Sequence, residues 1–245
     1  MQRYFITADQ IDLETNRMIL RGDEWHHISR VMRFAVGDRF WCADNSGKEY
    51  WCELIQVSPQ QGTAAILHAR RGDREPLRRI TLAQSVLKGE KMDWVVQKAT
   101  ELGGDAVLPF FSERTVVRLS PEREEKRRER WQRIAKEAAE QSQRTHLPPV
   151  ARALSWSQLL LQAKEYDLSL LAYEGESASL RVALDEAAPW HTLLLAVGPE
   201  GGFAPQEVEE ALASGFRAIS LGRRILRAET AGMAALAAIL FYYGE

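Results

Sequence analysis

The chain has 245 residues, 45% of them hydrophobic, which is room for one large packed domain or two modest ones. Cys42 and Cys52 are the only cysteines; two thiols make no disulfide framework, they are expected to be reduced, and with five scattered histidines they give no structural zinc site, so no metal is expected. The net charge of −2 does not by itself announce a nucleic-acid partner, but residues 1–149 hold 25 Lys and Arg against 22 Asp and Glu, whereas residues 150–245 hold 7 against 12.

Most of the cations are arginines, whose planar fork binds phosphate and stacks on bases; an arginine-rich codon usage is the plainer alternative. No charged, apolar, small-residue leader opens the sequence. The longest apolar stretch, residues 231–243, contains Gly232 and is too short to span a bilayer, so a cytoplasmic protein with no membrane contact is expected.

Residues 3–69 read as short strands. Residues 40–43 and 50–55 flank Asp44, Asn45, Ser46 and Gly47, a hairpin-like turn cluster, and residues 63–69 form another strand. A helical turn at residues 24–32 interrupts the set. The expectation is a small β-rich domain over residues 1–72, closed like a barrel because closure removes exposed edges. The charged stretch from Arg70 to Pro76, with Gly72 and no apolar period, marks its boundary.

Residues 76–245 alternate strand and helix. Strands are expected at 80–86, 106–110, 168–173, 192–197 and 217–221, and helices at 90–102, 121–144, 205–214 and 229–243. In the first helix Met92, Val95, Val96, Ala99 and Leu102 share a face, and Gly103 stands at the C′ position. The long charged helix buries Trp131, Ile134, Ala135, Ala138 and Ala139. Such alternation predicts an α/β domain with a mostly parallel sheet covered on both faces.

Two loops stand out. Gly198, Pro199, Glu200, Gly201 and Gly202 follow an apolar run, where glycines let the backbone turn sharply and approach a ligand at a strand's carboxyl end. The plain alternative is a tight turn that needs glycine. The spacing is not the dinucleotide fingerprint, and no P-loop lysine follows. The next helix opens on Pro205 and Glu207, but Ala204 is a poor cap, which suggests that the local amides find another partner. In the second loop, Arg223, Arg224 and Arg227 stand within five residues around Ile225 and Leu226. With those aliphatics buried it would bind a flat ring beside positive charge; otherwise it is a solvated basic loop. The helix after it is rich in Ala and Gly, suited to close packing within the domain or between subunits.

Together, Gly-Pro-Glu-Gly-Gly at 198–202 and Leu-Gly-x-x-Ile-Leu-Arg-x-Glu-Thr-Ala at 221–231 resemble the loops of the SPOUT methyltransferases. More narrowly, the chain is similar to the family that methylates N3 of a uridine in 16S ribosomal RNA. The similarity runs from end to end. It includes residues 88–93, Gln97, Lys98, Glu101, Leu102 and Gly103 in the first catalytic-domain helix, Ser112-Glu113-Arg114, Glu140-Gln141-Ser142-x-x-Arg144, and residues 26–33 near the N-terminus.

The resemblance implies a C-terminal SPOUT domain with a deep trefoil knot, a topology that ordinary chain-connection rules would reject. It also implies a PUA-like RNA-binding N-terminal domain, S-adenosylmethionine as methyl donor, and a homodimer with the C-terminal helix in its interface. The implied partner is 16S rRNA of the small ribosomal subunit. Carried over by position, the donor site takes Leu171, Ala172 and Tyr173 from a first loop and Gly198, Pro199, Glu200, Gly201 and Gly202 from a second. A third loop gives Leu221, Gly222, Ile225, Leu226, Arg227, Thr230 and Ala231.

The implied reaction is an in-line displacement at a sulfonium methyl, in which alignment is a large part of catalysis. Uracil N3 lies on the pairing edge, so the base must be unpaired or flipped out, and N3 must lose its proton. Arg227 is the first candidate to stabilise the anion, with Arg114 and Arg144 as further candidates. Glu229 either takes the proton or pairs with an arginine. Candidates for RNA phosphate are Arg3, Arg30, Arg33, Arg70, Arg71, Arg74, Lys88 and Lys91, each alternatively a solvated surface charge. Two other readings stay open: a SPOUT enzyme acting on ribose or transfer RNA, and a non-catalytic RNA-binding or assembly protein.

Overall fold

In the N-terminal region the two-residue alternation of apolar side chains builds a six-stranded sheet. The computed structural model describes residues 2–118, 120–175 and 177–245, and divides into two units: Met1–Glu75 with Ala139–Leu147, and Pro76–Ala138 with Pro148–Glu245.

The first unit contains β1 (Arg3–Phe5), β2 (Ile11–Asp12), β3 (Arg17–Leu20), a short helix α1 (Gly22–His26), a π-helical turn (His27–Val31), β4 (Arg39–Ala43), β5 (Lys48–Val57) and β6 (Gly62–Arg71). Their order in the sheet is β1-β4-β5-β6-β3-β2, parallel between β1 and β4 and antiparallel elsewhere. Tyr4, Met18, Leu20, Phe40, Cys42, Tyr50, Cys52, Leu54 and Ala64 point to one face and form its core, with Trp25 and Ile28 packed onto it. Both cysteines are free thiols inside this core. Gly62 is required there: a Cβ at this position would lie 2.3 Å from the Trp25 ring, whose indole N–H is tied to the Ser58 carbonyl at 3.1 Å.

Two expectations change in this unit. The strand ladder ends at β1 and at β2, and these two do not pair among the described residues, so the sheet is open rather than a closed barrel. Its edges are hidden by brevity instead, being three and two residues long. The chain leaves this unit after Glu75, near the expected boundary, and Ala139–Leu147 returns to it. Ala139 and Leu147 cover Phe5 and Ala43 on the outer face of the sheet. The Glu75 carboxylate receives Arg144 at 2.6 Å and the N–H groups of Thr145 and His146 at 2.7 and 3.0 Å. The long helix therefore ends sooner than expected: Gln143 takes φ 64°, and the Arg144 N–H turns back to the Ala139 carbonyl.

The second unit contains β7 (Arg79–Ser85), α2 (Lys91–Glu101), β8 (Ala106–Phe111), most of α3 (Pro121–Gln141), β9 (Leu154–Ser155), α4 (Trp156–Gln162), β10 (Leu168–Ala172), β11 (Ala178–Ser179), α5 (Leu180–Asp185), β12 (Thr192–Val197), α6 (Pro205–Ala213), β13 (Arg217–Ser220) and α7 (Ala228–Tyr242). The sheet is parallel throughout, in the order β11-β13-β10-β12-β7-β8-β9. Its central strand β12 is a nearly continuous apolar run, and β7 is buried from Ile80 to Ser85 although it carries Thr81, Gln84 and Ser85, as expected of a strand covered on both faces. Three neighbours, β13, β10 and β12, end side by side, so the loops leaving their carboxyl ends converge.

Candidate active site

A cavity of about 450 Å³ lies where those three loops meet the first turn of α7. Ala172, Tyr173 and Glu174 come from the loop after β10. Val197, Gly198, Pro199, Glu200, Gly202 and Phe203 come from the loop after β12. Ile219 to Leu226 come from β13 and its loop, and Arg227, Ala228, Glu229 and Ala231 from the start of α7. Lys91, at the start of α2, completes the wall. The wall is mixed, with aliphatic and aromatic groups beside carboxylates and guanidinium groups, as in sites that hold a polar small molecule around an apolar ring.

Backbone chemistry explains the glycine loop. Gly202 adopts φ +67°, a left-handed conformation, and a Cβ there would meet Glu174 Oε1 at 2.6 Å. Its N–H donates to the Pro199 carbonyl at 2.9 Å, closing the turn. The loop is held from three sides. The buried Gln84 amide donates to the Gly198 carbonyl at 3.2 Å, Arg114 Nη1 donates to the Gly201 carbonyl at 3.0 Å, and the Lys88 N–H donates to Glu200 at 3.3 Å. The weak cap at Ala204 has an internal answer: its N–H donates to Glu207 Oε2 at 2.9 Å, while Glu207 Oε1 accepts the Glu113 N–H at 2.8 Å. Those amides are satisfied by the protein itself, not by a ligand.

The charged wall is a small network. Lys91 Nζ lies 3.2 Å from Glu200 and 3.4 Å from Glu229. Burial alone would lower the Lys91 pKa, but hydrogen bonding and the charges of Glu200 and then Glu229 win and raise it above the ordinary lysine value. Burial pushes the Glu200 carboxyl up, yet its own N–H, the Lys88 N–H and Lys91 hold it below the usual carboxylate range. The Glu229 side chain is 13% exposed and its Oε2 makes no hydrogen bond among the described residues. Its ionic partner is Lys91 rather than an arginine. Arg223, Arg224 and Arg227 are exposed and form no ion pair among the described residues. Arg227 is also the N-cap of α7 and offers no side-chain cap; its carbonyl accepts the N–H groups of Thr230 and Ala231 at 2.8 and 2.9 Å, and the N–H groups of Ala228 and Glu229 at the helix's positive end receive no side-chain cap.

Several sequence-derived positions do not reach the cavity. Leu171 is fully buried and packs in the core between sheet and helices. Gly201 and Thr230 are not in the wall. Ile225 lies at the wall but is 86% exposed, so the expectation of two buried aliphatics holds only in part for Leu226, which is half-buried. Arg114 grips the glycine loop by its carbonyl. Arg144 belongs to the first unit, where it bonds Glu75 at 2.6 Å with its side chain 5% exposed.

Among the RNA candidates, Arg3 is a correction: it is buried, its guanidinium paired with Glu49 at 2.5 Å, and it is not open to phosphate. Lys91 lines the cavity and pairs with Glu200 and Glu229. Arg30, Arg33, Arg70, Arg71, Arg74 and Lys88 are exposed. The sequence reading did not select Glu174, Val197, Phe203 and Ala228, which also line the wall. Each is adjacent to a residue it did select, so extending each loop by one or two positions would have found them.

Comparison with known proteins agrees with this architecture. An RNA methyltransferase domain model matches residues 73–240, and an RNA methyltransferase PUA domain model matches residues 20–67. The ribosomal RNA small subunit methyltransferase E of Bacillus subtilis (strain 168) is 40% identical, over 98% of this chain and 96% of its own. The protein of that name from Synechocystis sp. is 38% identical, over 97% of this chain and 76% of its own. The crystal structure of a ribosomal RNA small subunit methyltransferase E from Neisseria gonorrhoeae bound to S-adenosyl methionine superposes with a TM-score of 0.89 at 34% identity, covering 99% of this chain and 98% of that one. With its PUA-like N-terminal unit and parallel-sheet C-terminal unit, the chain belongs to the ribosomal RNA small subunit methyltransferase E family of SPOUT-type RNA methyltransferases.

Proposed function

We propose that this chain transfers a methyl group from S-adenosylmethionine to N3 of one uridine in 16S rRNA of the small ribosomal subunit. The observation that carries the proposal is the convergence of three strand-end loops and the α7 N-terminus on one cavity that holds Lys91, Glu200, Arg227 and Glu229. The lining suits the donor. Phe203, Val197, Ile219 and Leu226 offer apolar surface for an adenine ring. Glu174, Glu200 and Glu229 offer carboxylates to its cationic groups, and the uncapped start of α7 offers N–H groups to its carboxylate.

S-adenosylmethionine, when bound, supplies an electrophilic methyl on a sulfonium. The chain's own task is to align the nucleophile with it and to favour the deprotonated uracil. Arg227 serves this second purpose: a cation at contact distance from O2 or O4 favours the anion by about 1.4–4 kcal/mol. Arg114 acts at one remove by holding the Gly201 carbonyl. Glu229 is a candidate proton acceptor, with Lys91 3.4 Å away to hold its position.

The same proposal includes the trefoil knot, the homodimer and a cytoplasmic location, where ribosomal RNA would be met. Support for the dimer lies in large apolar groups left open on the C-terminal unit: Phe241 on α7 and Ile225 at the cavity, each 86% exposed, and Trp94 on α2, 53% exposed. Among the described residues no group of His, Cys, Asp and Glu could hold a metal ion, and no helix is long and apolar enough to cross a membrane.

The test is to incubate the protein with S-adenosylmethionine and small ribosomal subunits lacking the modification, then digest the RNA and look for 3-methyluridine by mass spectrometry. Its appearance at one position is expected. A ribose-methylated product, or methylation of transfer RNA alone, would replace the substrate; donor binding with no product on any RNA would leave a binding protein.

A further inference from the structure

Gln84 of β7 is fully buried, and its side chain lies on the face of the sheet that α7 covers. Its amide nitrogen donates to three carbonyls, those of Ser85 at 3.3 Å, Val197 at 3.4 Å and Gly198 at 3.2 Å. Val197 and Gly198 line the cavity. The amide oxygen is turned the other way and has no hydrogen-bond partner among the described residues. The opposite amide orientation would set that oxygen against three acceptors, so the hydrogen bonds fix this one. The unpaired oxygen lies against Gly232 of α7. A Cβ there would stand 3.4 Å from it, and 3.2 and 3.3 Å from the two Leu82 methyls. Gly232 directly follows Ala231, which is part of the cavity wall.

Each half of this contact is a poor choice for stability alone. An unpaired polar atom in the interior is unfavourable where an apolar side chain of the same size would not be. A glycine inside a helix is less stable than an alanine. Two locally unfavourable residues that meet at one contact mark a place where geometry outweighs stability. The contact joins two walls of the cavity. By its nitrogen, Gln84 holds the strand end that opens the glycine loop. By its oxygen end, together with Leu82, it bears on the one residue of α7 whose lack of a side chain lets the helix lie close to the sheet there. An apolar residue at position 84 would fill the space and leave the strand end unheld. We propose, on the reading of this cavity as an S-adenosylmethionine site, that Gln84 is a positioning residue for methyl transfer. With Gly232 it fixes the separation between the glycine loop and the first turns of α7, so that one ligand meets both.

The experiment compares the full wild-type chain with Gln84→Met, Gly232→Ala and the double variant. Methionine keeps the length and most of the volume of glutamine but removes the donor and the unpaired oxygen. Gln84→Met exchanges one unpaired buried oxygen for another, because the Gly198 carbonyl loses its amide, so Tm should stay within about 4 °C of wild type. The unheld strand end spends part of its time out of place, and S-adenosylmethionine affinity by calorimetry should fall about two- to tenfold. Hydrogen–deuterium exchange should quicken in residues 197–203 and 228–232 and nowhere else. In turnover on unmodified small ribosomal subunits, KM for the donor should rise while KM for RNA stays. Gly232→Ala presses its methyl on Leu82 and Gln84 and should lose donor affinity to a similar degree. The double variant should lose less than the product of the two single losses, since both disturb one contact.

A Gln84→Met chain that binds the donor as wild type does overturns the positioning role and leaves the donor site standing. A larger fall in Tm, with faster exchange across the whole sheet, also overturns it and makes Gln84 a structural residue. Should Gln84→Met not fold, Gly232→Ala decides: reduced donor affinity with local exchange supports the role, and unchanged affinity overturns it. Single losses that multiply in the double variant overturn the pairing of Gln84 with Gly232. A wild-type chain that does not bind S-adenosylmethionine overturns the donor reading and the positioning role with it.

Discussion

Gly202→Ala separates backbone strain from ligand contact. Gly202 has φ +67°, which costs an alanine about 1–2 kcal/mol, and its new Cβ would stand 2.6 Å from Glu174 Oε1. That carboxylate is the end of a flexible side chain in the cavity wall, so it moves rather than the loop. Global stability should fall only by the strain, a Tm decrease of about 2–8 °C for a chain of this size. Displacing a carboxylate that meets a cationic ligand group removes about 1.5–3 kcal/mol of binding, or roughly a ten- to hundredfold loss of S-adenosylmethionine affinity. Calorimetric titration and thermal unfolding measure the two effects separately. Gly215→Ala is the control: it also has a positive φ, +96°, but nothing lies within 4 Å of its Cβ, so it should lose stability and keep donor affinity. In Glu174→Ala, adding Gly202→Ala should cost strain alone, which tests the coupling directly. Wild-type donor affinity in Gly202→Ala would refute the assignment of Glu174 and this loop to the ligand.

Other perturbations follow from the same structure. Arg227→Ala should cut turnover at least tenfold while shifting Tm by under about 2 °C, since the guanidinium is exposed and forms no ion pair among the described residues; equal losses would make it structural. Glu75→Gln should cost about 1.5–3 kcal/mol at pH 7, because it removes a charge-assisted hydrogen bond that the buried Arg144 makes at 2.6 Å. Burial raises the Glu75 pKa, but Arg144 and the N–H groups of His146 and Thr145 outweigh it and hold it below the usual range. Its stabilisation is therefore complete above the unfolded value and lost as pH falls through the lower folded one, so the gap between variant and wild type in urea unfolding should narrow below about pH 4. A gap that does not shrink at all as pH falls from about 7 through 4 towards 3 would contradict the linkage. Gly62→Ala should lower urea-unfolding stability by about 1–3 kcal/mol, because the Trp25 ring that its Cβ strikes is tethered to Ser58; an unchanged midpoint would mean that the ring relocates freely.

Much of the architecture was legible because it is local. The apolar run at β12 ended where the structure ends it, and Met92, Val95, Val96 and Ala99 form the buried face of α2 with Gly103 beyond it, while Leu102, expected on that face, is the exposed C-cap. The short helices α4 and α5 went unread because seven and six residues carry too little periodicity to declare a helix. The open N-terminal sheet and the return of Ala139–Leu147 were not legible either, since both depend on which distant segment covers a face.

The same division runs through the site. Glycine chemistry, strand ends and the Arg-rich loop marked two of the three loops from spacing alone, because backbone conformations that favour glycine are written residue by residue. Their convergence came from the strand order β13-β10-β12, which no local pattern encodes. Charge was the least readable property. Arg3 and Arg144 look like any other arginine in the sequence, yet Glu49 and Glu75 take them out of solvent, and Lys91 joins the cavity through carboxylates over a hundred residues away. A charged side chain is set by the partner that folding delivers to it: local spacing could mark two loops of a pocket, their resemblance to the SPOUT methyltransferases implied its chemistry, and only the packed chain could say which of its cations are free to use it.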